Sequence, residues 1–339
     1  MKKGSLPRFI LQRLALVIPM IWIALTLVFV LLRIAPGDPV TAALGGHLSQ
    51  SAIAVRKAQL GLDRPLIVQY GEYLNNVVHL NFGHTFTDNQ PVTDVIETNG
   101  GATLTLTVAA FIVALVIGIP LGLLAGRYRD RTPDVIFRLF GVVSYAAPVF
   151  FTGLLAQVFV APHLGLPTSG QASALVQVEV PTHTHILILD AVLAGQWGGV
   201  WDILKHLFLP ALTLGILICG VFIRLVRVNI LQTLQSDYVE AAEARGIAPG
   251  KVLRNHAFRN ALVPVITVIG LQVALLLAGA VLTETTFNWP GIGNKLFQYI
   301  SNLDYGAVQG IITMFTVVIV VVSLLVDIVT GLIDPRVRF

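Results

Sequence analysis

The 339-residue chain is 55% hydrophobic and only 12% charged, with a mean hydropathy of +0.80, whereas soluble domains are roughly 45–50% apolar and about 25% charged. The apolar residues are gathered into long blocks, which points to a bilayer and excludes a solvated globule. The net charge of +4 does not indicate nucleic acid, because Lys and Arg stand at the ends of those blocks rather than along one face. A single cysteine, Cys219, excludes a disulfide framework and a Cys-based metal site.

At the N-terminus, Lys2, Lys3 and Arg8 precede an apolar run, 14–32, that is longer than the core of a secretory signal. Pro36-Gly37-Asp38-Pro39 follows where a cleavage site of small residues would be needed. The run reads as a retained first span, 9–32. Further spans are expected at 104–126, 135–160, 207–230, 263–282 and 307–333, each near the roughly 20 residues that cross about 30 Å of hydrocarbon. The expected fold is an all-α integral membrane protein with six transmembrane helices. Its parts are a cytoplasmic N-terminus (1–8), a first helix (9–33), an extracytoplasmic segment (34–103) and a helical core (104–334). Within the core lie a second extracytoplasmic segment (161–206) and a cytoplasmic loop (231–262). With the N-terminus inside, sixteen of the 22 Lys and Arg residues fall in cytoplasmic segments, and six spans return the C-terminus to the same side.

In chain order, 34–103 mixes turn residues with an amphipathic helix around 69–79, so a small ordered cap is expected. In the second span Gly118, Gly122 and Gly126 recur every four residues, as do Gly270, Ala274 and Ala278 in the fifth. Such spacing lets helix backbones approach closely, the alternative being a part in lining a pathway. Ser144 and Tyr145 in the third span, with Gln272 and Thr283 around the fifth, are the polar residues that could face such a pathway. His183 and His185 stand at alternate positions in an outer loop and read as exposed side chains rather than metal ligands. Trp197, Trp201, Leu204 and Leu207 have helical spacing that suits a helix lying at the outer interface. Asp327, the acidic residue deep in the last apolar block, reads as a hydrogen-bonded or ion-paired structural group rather than a proton relay.

The most informative stretch lies between the fourth and fifth spans. Asp237 can cap a helix with Glu240 three residues on, and Gly246 can end it in the left-handed conformation. Pro249 can then start a second helix that runs through His256 into the next span. Two short helices joined at a glycine make a compact knob that can dock in a partner's groove. Glu240-Ala241-Ala242 alone would equally suit a solvated loop. The ordered set of those residues, Gly246, Arg259-Asn260-Ala261 and Pro264 is more specific. Residues 246–252 lack the spacing and the hydroxyl residue of a phosphate-binding loop. No nucleophile and base pair or zinc-protease motif appears, and no internal duplication supports an inverted-repeat carrier.

That ordered set resembles the EAA loop of ABC importer permeases, and nearly the whole chain is similar to the peptide/nickel permease family, in particular its dipeptide group. The resemblance is carried by Pro36-Gly37-Asp38-Pro39, Gly61-Leu62-Asp63-Arg64-Pro65, 267–272, Phe287-Asn288-Trp289-Pro290-Gly291-Ile292-Gly293, Asp304-Tyr305, Gln309-Gly310 and Asp334-Pro335-Arg336. Leu80-Asn81-Phe82-Gly83 departs from it by lacking an acidic residue before the glycine, and 165–200 matches loosely. Both are outer segments that bear on cargo rather than class. The resemblance implies a type I ABC importer permease fold in a bacterial or archaeal plasma membrane. It also implies a non-catalytic chain with no cofactor of its own, and ATP and Mg held by two partner ATPases. A second homologous permease and an extracytoplasmic substrate-binding protein complete the implied assembly. Glu240, Ala241, Ala242, Gly246 and Ile247, with Arg245 and Arg259 as supporting charges, are the implied ATPase contacts. The implied cargo is a di- or oligopeptide. Nickel, haem or glutathione are the alternatives within the class, and an ion-gradient-driven carrier or channel the alternative outside it.

Overall fold

The computed structural model describes residues 6–34, 50–59, 61–253 and 280–333, with positions 258, 265, 268, 272 and 276. Apart from one isolated bridge, His84 to Pro91, the regular structure among these is helical. The helices are α1 (Leu6–Ile34), α2 (Gln50–Gln59), α3 (Leu66–Val78), α4 (Val92–Arg127), α5 (Thr132–Ala146) and α6 (Val149–Leu164). They continue with α7 (Ala174–Glu179), α8 (Leu187–Leu193), α9 (Trp197–Leu234), α10 (Asp237–Ala244), α11 (Pro249–Val252), α12 (Ile292–Ser301) and α13 (Tyr305–Ile333). Among the described residues α1, α4, α9 and α13 are each long and apolar enough to cross a membrane, and α5 with α6 adds a bent pair.

The third expected span, 135–160, is not one straight helix. It breaks between Ala146 and Val149, and the two halves diverge by 105°. Pro148 is the cause: its ring disfavours helical backbone at the preceding residue, and Ala147 is extended at φ −73°, ψ 130°. The expected fifth span lies largely outside the described residues, and the backbone is helical at 265, 268, 272, 276 and 280–286.

Two helices overrun their expected limits. α4 begins at Val92 rather than at 104 because the polar residues of its first turns bond back into the helix: Asn99 Nδ2 donates to Val95 O at 2.8 Å and Thr105 Oγ1 to Gly101 O at 2.7 Å. The expected interfacial helix ending at Leu207 is the opening of α9, which runs unbroken past Pro210 for 38 residues, about 57 Å at 1.5 Å per residue.

α4 and α9 form the centre. A methyl group at Gly118 would lie 2.7 Å from Phe222 Cβ, one at Gly122 2.8 Å from Val226 Cβ and one at Gly126 2.7 Å from Ile230 Cγ2. The glycine repeat is therefore a packing seam. Leu106, Ala110 and Ala114 of α4 complete it against Leu214, Phe222, Ile223 and Val226 of α9, all essentially inaccessible. Gly141 and Gly220 bring α5 onto the same helix: a methyl at Gly220 would fall 2.3 Å from Gly141 O.

α1 pairs with α13. Gly331 admits the Phe9 ring, and Arg13 meets Asp327 at 3.0 Å, so Asp327 is an ion-paired structural group. α3 and the segment 84–87 are tied to the long helices. Tyr70 bonds Thr26 at 2.6 Å and Tyr73 bonds Thr313 at 2.7 Å. The fully buried Asp304 accepts from the Phe86 and Thr87 amides, the Thr87 hydroxyl and the Ala307 amide at 2.8–3.0 Å.

Candidate coupling site

The predicted knob is present as α10 and α11. Ser236 O receives the amides of Val239 and Glu240, so Ser236 precedes the helix and Asp237 is its first residue rather than its cap. Asp237 and Glu240 both sit in the first turn, where carboxylates favour the helix dipole. At the other end Gly246 has φ +78°, and the Ile247 amide reaches back to Ala242 O at 3.2 Å. This is the six-to-one closure of a helix ended by a left-handed residue.

The knob has two faces. Val239, Ala242 and Val252 are buried together, with Leu234 and Ile247 packed against them. Glu240, Ala241, Arg245 and Gly246 are exposed. Of the implied contact set, Glu240, Ala241, Arg245 and Gly246 therefore share the open surface, while Ala242 and the half-buried Ile247 hold the knob together. Arg259 lies outside the described residues, as does the continuation through His256.

The knob is short-coupled to the membrane core. Only Gln235 and Ser236 separate α10 from α9, and their amides bond to Gln232 O at 3.3 Å and Thr233 O at 3.2 Å. Seven residues before the end of α9, Arg227 grips Asp134 of α5 side-on, Nε to Oδ1 at 2.6 Å and Nη2 to Oδ2 at 2.8 Å. Arg138 Nε stands 3.4 Å from the same carboxylate, and the Asp130 amide donates to Oδ2 at 2.9 Å. Asp134 is fully inaccessible and the Arg227 side chain 15% exposed. The helix that bears the knob, α9, is thus tied to α5 by a bidentate, charge-assisted contact.

Sequence reasoning missed this pair. In the sequence Arg227 is one of the sixteen cytoplasmic charges that set topology, and an arginine inside an apolar block also asks for a partner. The acidic residue at the start of the third span was the available signal.

A second polar contact ties α4 to the stretch 284–294. Glu284, inaccessible to solvent, accepts from Thr103 Oγ1 at 2.7 Å and from the Asn294 amide at 2.9 Å. Thr103 Oγ1 in turn accepts the Ile292 amide at 2.8 Å, and Trp289 Nε1 donates to Ala102 O at 2.9 Å. A Cβ at Gly291 would stand 2.2 Å from Glu284 Oε1, so the stretch 287–293 is shaped to wrap this carboxyl group.

Of the four residues proposed to face a pathway, Ser144, Gln272 and Thr283 are buried and Tyr145 is 65% exposed beside the bend. None of them lines the cavities of about 380 and 250 Å³. Among the described residues no group of three or more His, Cys, Asp and Glu gathers as metal ligands would.

Long apolar helices packed through glycine seams, with a two-faced helical knob joined to one of them, define a multi-pass membrane protein. The chain belongs to the family of binding-protein-dependent transport system inner membrane components, whose model matches residues 118–339, with the model of that family's N-terminal region matching 6–107. It is 39% identical over 332 residues to the di/tripeptide transport system permease protein DppB of Pseudomonas aeruginosa, covering 97% of this chain and 98% of that relative. Identity to the dipeptide transport system permease protein DppB of Escherichia coli is 38% over 335 residues, 98% of each chain. The corresponding protein of Alkalihalophilus pseudofirmus is 35% identical over 333 residues, 98% of this chain and 99% of the relative.

Proposed function

We propose that the chain is one of two homologous permease subunits of an ATP-binding-cassette importer for di- or oligopeptides, and that loop 231–262 couples it to the ATPases. In this reading the chain has six spans with both termini in the cytoplasm and the loop on the inner side, which the bias of Lys and Arg supports. Two partner ATPases hold ATP and Mg, and an extracytoplasmic binding protein delivers the cargo. When the ATPases close around nucleotide they draw the knobs together, and the helices rock between inward-open and outward-open states as rigid bodies.

The observation that carries this reading is the construction of the knob. Its apolar face is spent on itself, Glu240, Ala241 and Arg245 are left exposed, and its link to α9 is too short to absorb a push. A solvated loop resting on lipid has no need of a fixed exposed face joined rigidly to a spanning helix. The peptide cargo follows from what the relatives are named for.

Uptake of a labelled dipeptide into vesicles containing the full assembly tests the proposal. It predicts accumulation that requires ATP and survives collapse of the proton gradient. Uptake that persists without nucleotide and stops when the gradient is collapsed would contradict it.

A further inference from the structure

A cavity of about 380 Å³ lies where the end of α1, helix α3 and the start of α13 meet. Two of its polar atoms are buried without a hydrogen-bond partner: Arg33 Nε and Gln69 Oε1. The rest of each side chain is held in place. The Arg33 guanidinium stacks over Phe29 at 5.0 Å, and Gln69 Nε2 donates to Arg64 O at 2.7 Å and to Leu62 O at 3.3 Å, which commits its oxygen to accept from elsewhere. Glu72, the acidic residue on the wall, is paired with Arg64. Among its polar groups the wall therefore offers a charged donor and an acceptor, Arg33 Nε and Gln69 Oε1, that are buried atoms on side chains held by other contacts. Leaving such groups unmatched is costly.

A ligand that satisfies both carries an oxyanion and a neighbouring hydrogen-bond donor. Arg33 occupies the last turn of a spanning helix, the depth at which phosphates of the lipid headgroups lie and arginine side chains reach for them. The flank of α1 next to Arg33 is apolar and open, with Val30 40% and Ile34 73% exposed, so acyl chains can run along the helix beside the cavity.

We propose that this cavity is a binding site for the headgroup of a phospholipid, with its phosphate on Arg33 and its hydroxyl or ammonium donor on Gln69. The site lies at the junction of α1, cap and α13, away from the α4–α9 seam. Bound lipid would fasten the cap to the two helices beneath it.

Native mass spectrometry of the intact assembly, released from bilayers of phosphatidylglycerol and phosphatidylethanolamine, reads the site directly. The expected result is a phospholipid retained by the wild type, with affinity roughly ten- to a hundredfold weaker in Arg33→Gln, the loss of one charge-assisted contact. Arg33→Lys, which keeps the charge without the planar fork, is expected to fall between the two. Equal retention in wild type and Arg33→Gln would overturn the proposal and leave the cavity as a water site. Displacement of the bound species by millimolar inorganic phosphate or dipeptide, with no lipid retained, would overturn it in favour of a free oxyanion ligand.

Discussion

Asp134→Ala is the sharpest perturbation the packing offers. It removes both charge-assisted bonds to Arg227, 2.6 and 2.8 Å, and leaves Arg227 and Arg138 with no carboxylate between them. Breaking one side of a buried ion pair costs about 3–5 kcal/mol, chiefly the penalty of the stranded charge. Arg227 keeps 15% exposure and recovers some hydration, which puts the expected loss at about 3 kcal/mol. Asp134→Leu combined with Arg227→Met removes the stranded charge as well, and is expected to return to within about 1 kcal/mol of wild type, the two single losses being strongly non-additive. Denaturation of the purified protein in detergent gives the stabilities, and dipeptide-stimulated ATP hydrolysis by the reconstituted assembly gives the coupling. The double variant should be stable yet poorly coupled, because the bidentate contact between α9 and α5 is gone. A cost below about 1 kcal/mol for Asp134→Ala, or additive single losses, would refute this reasoning.

Gly122→Val forces branched atoms into a gap where even a methyl would stand 2.8 Å from Val226 Cβ and 2.9 Å from Ile223 O. Overpacking of this kind costs about 1–3 kcal/mol, measurable as a lower melting temperature and reduced yield of inserted protein. Gly246→Ala meets no atom within 4 Å but must adopt φ +78°, a strain of about 1 kcal/mol; faster amide exchange confined to 236–252 would register it. Between α7 and α9, burial of Asp190 works to raise its pKa and is outweighed by hydrogen bonds from the Thr184 hydroxyl and amide, so the carboxyl stays below its usual value of 3.8. A lowered folded-state pKa gives stability that is present at neutral pH and is lost as pH falls through the folded value. The loop around Thr184 is therefore expected to loosen below about pH 4, and Asp190→Asn to abolish that acid dependence in hydrogen exchange.

Much of this architecture is legible in the chain because the bilayer imposes a single strong constraint. Long apolar runs located α1, α9 and α13, and the four-residue glycine period located the seam on α4. The glycine at 246 marked the end of α10 because left-handed backbone is costly for residues with a side chain. What remained hidden depends on partners distant in sequence. Ala147-Pro148 could be read as a kink, but not as a 105° turn, since the angle is set by what α5 and α6 pack against. The helical start of α4 was concealed by Asn99 and Thr105, whose side chains satisfy themselves on the helix backbone. Asp134 with Arg227, and Glu284 with Thr103, join residues 93 and 181 apart in the chain; a charge inside an apolar block signals that a partner is needed but not which distant residue supplies it.

Coupling through α10 is tested most directly by placing a cysteine at the exposed Ala241 and cross-linking it in intact membranes with a short bifunctional reagent. The proposed mechanism predicts capture of an ATPase subunit in an amount that changes when ATP is bound. A transporter that remains fully active while the same reagent captures no ATPase in either nucleotide state would contradict it.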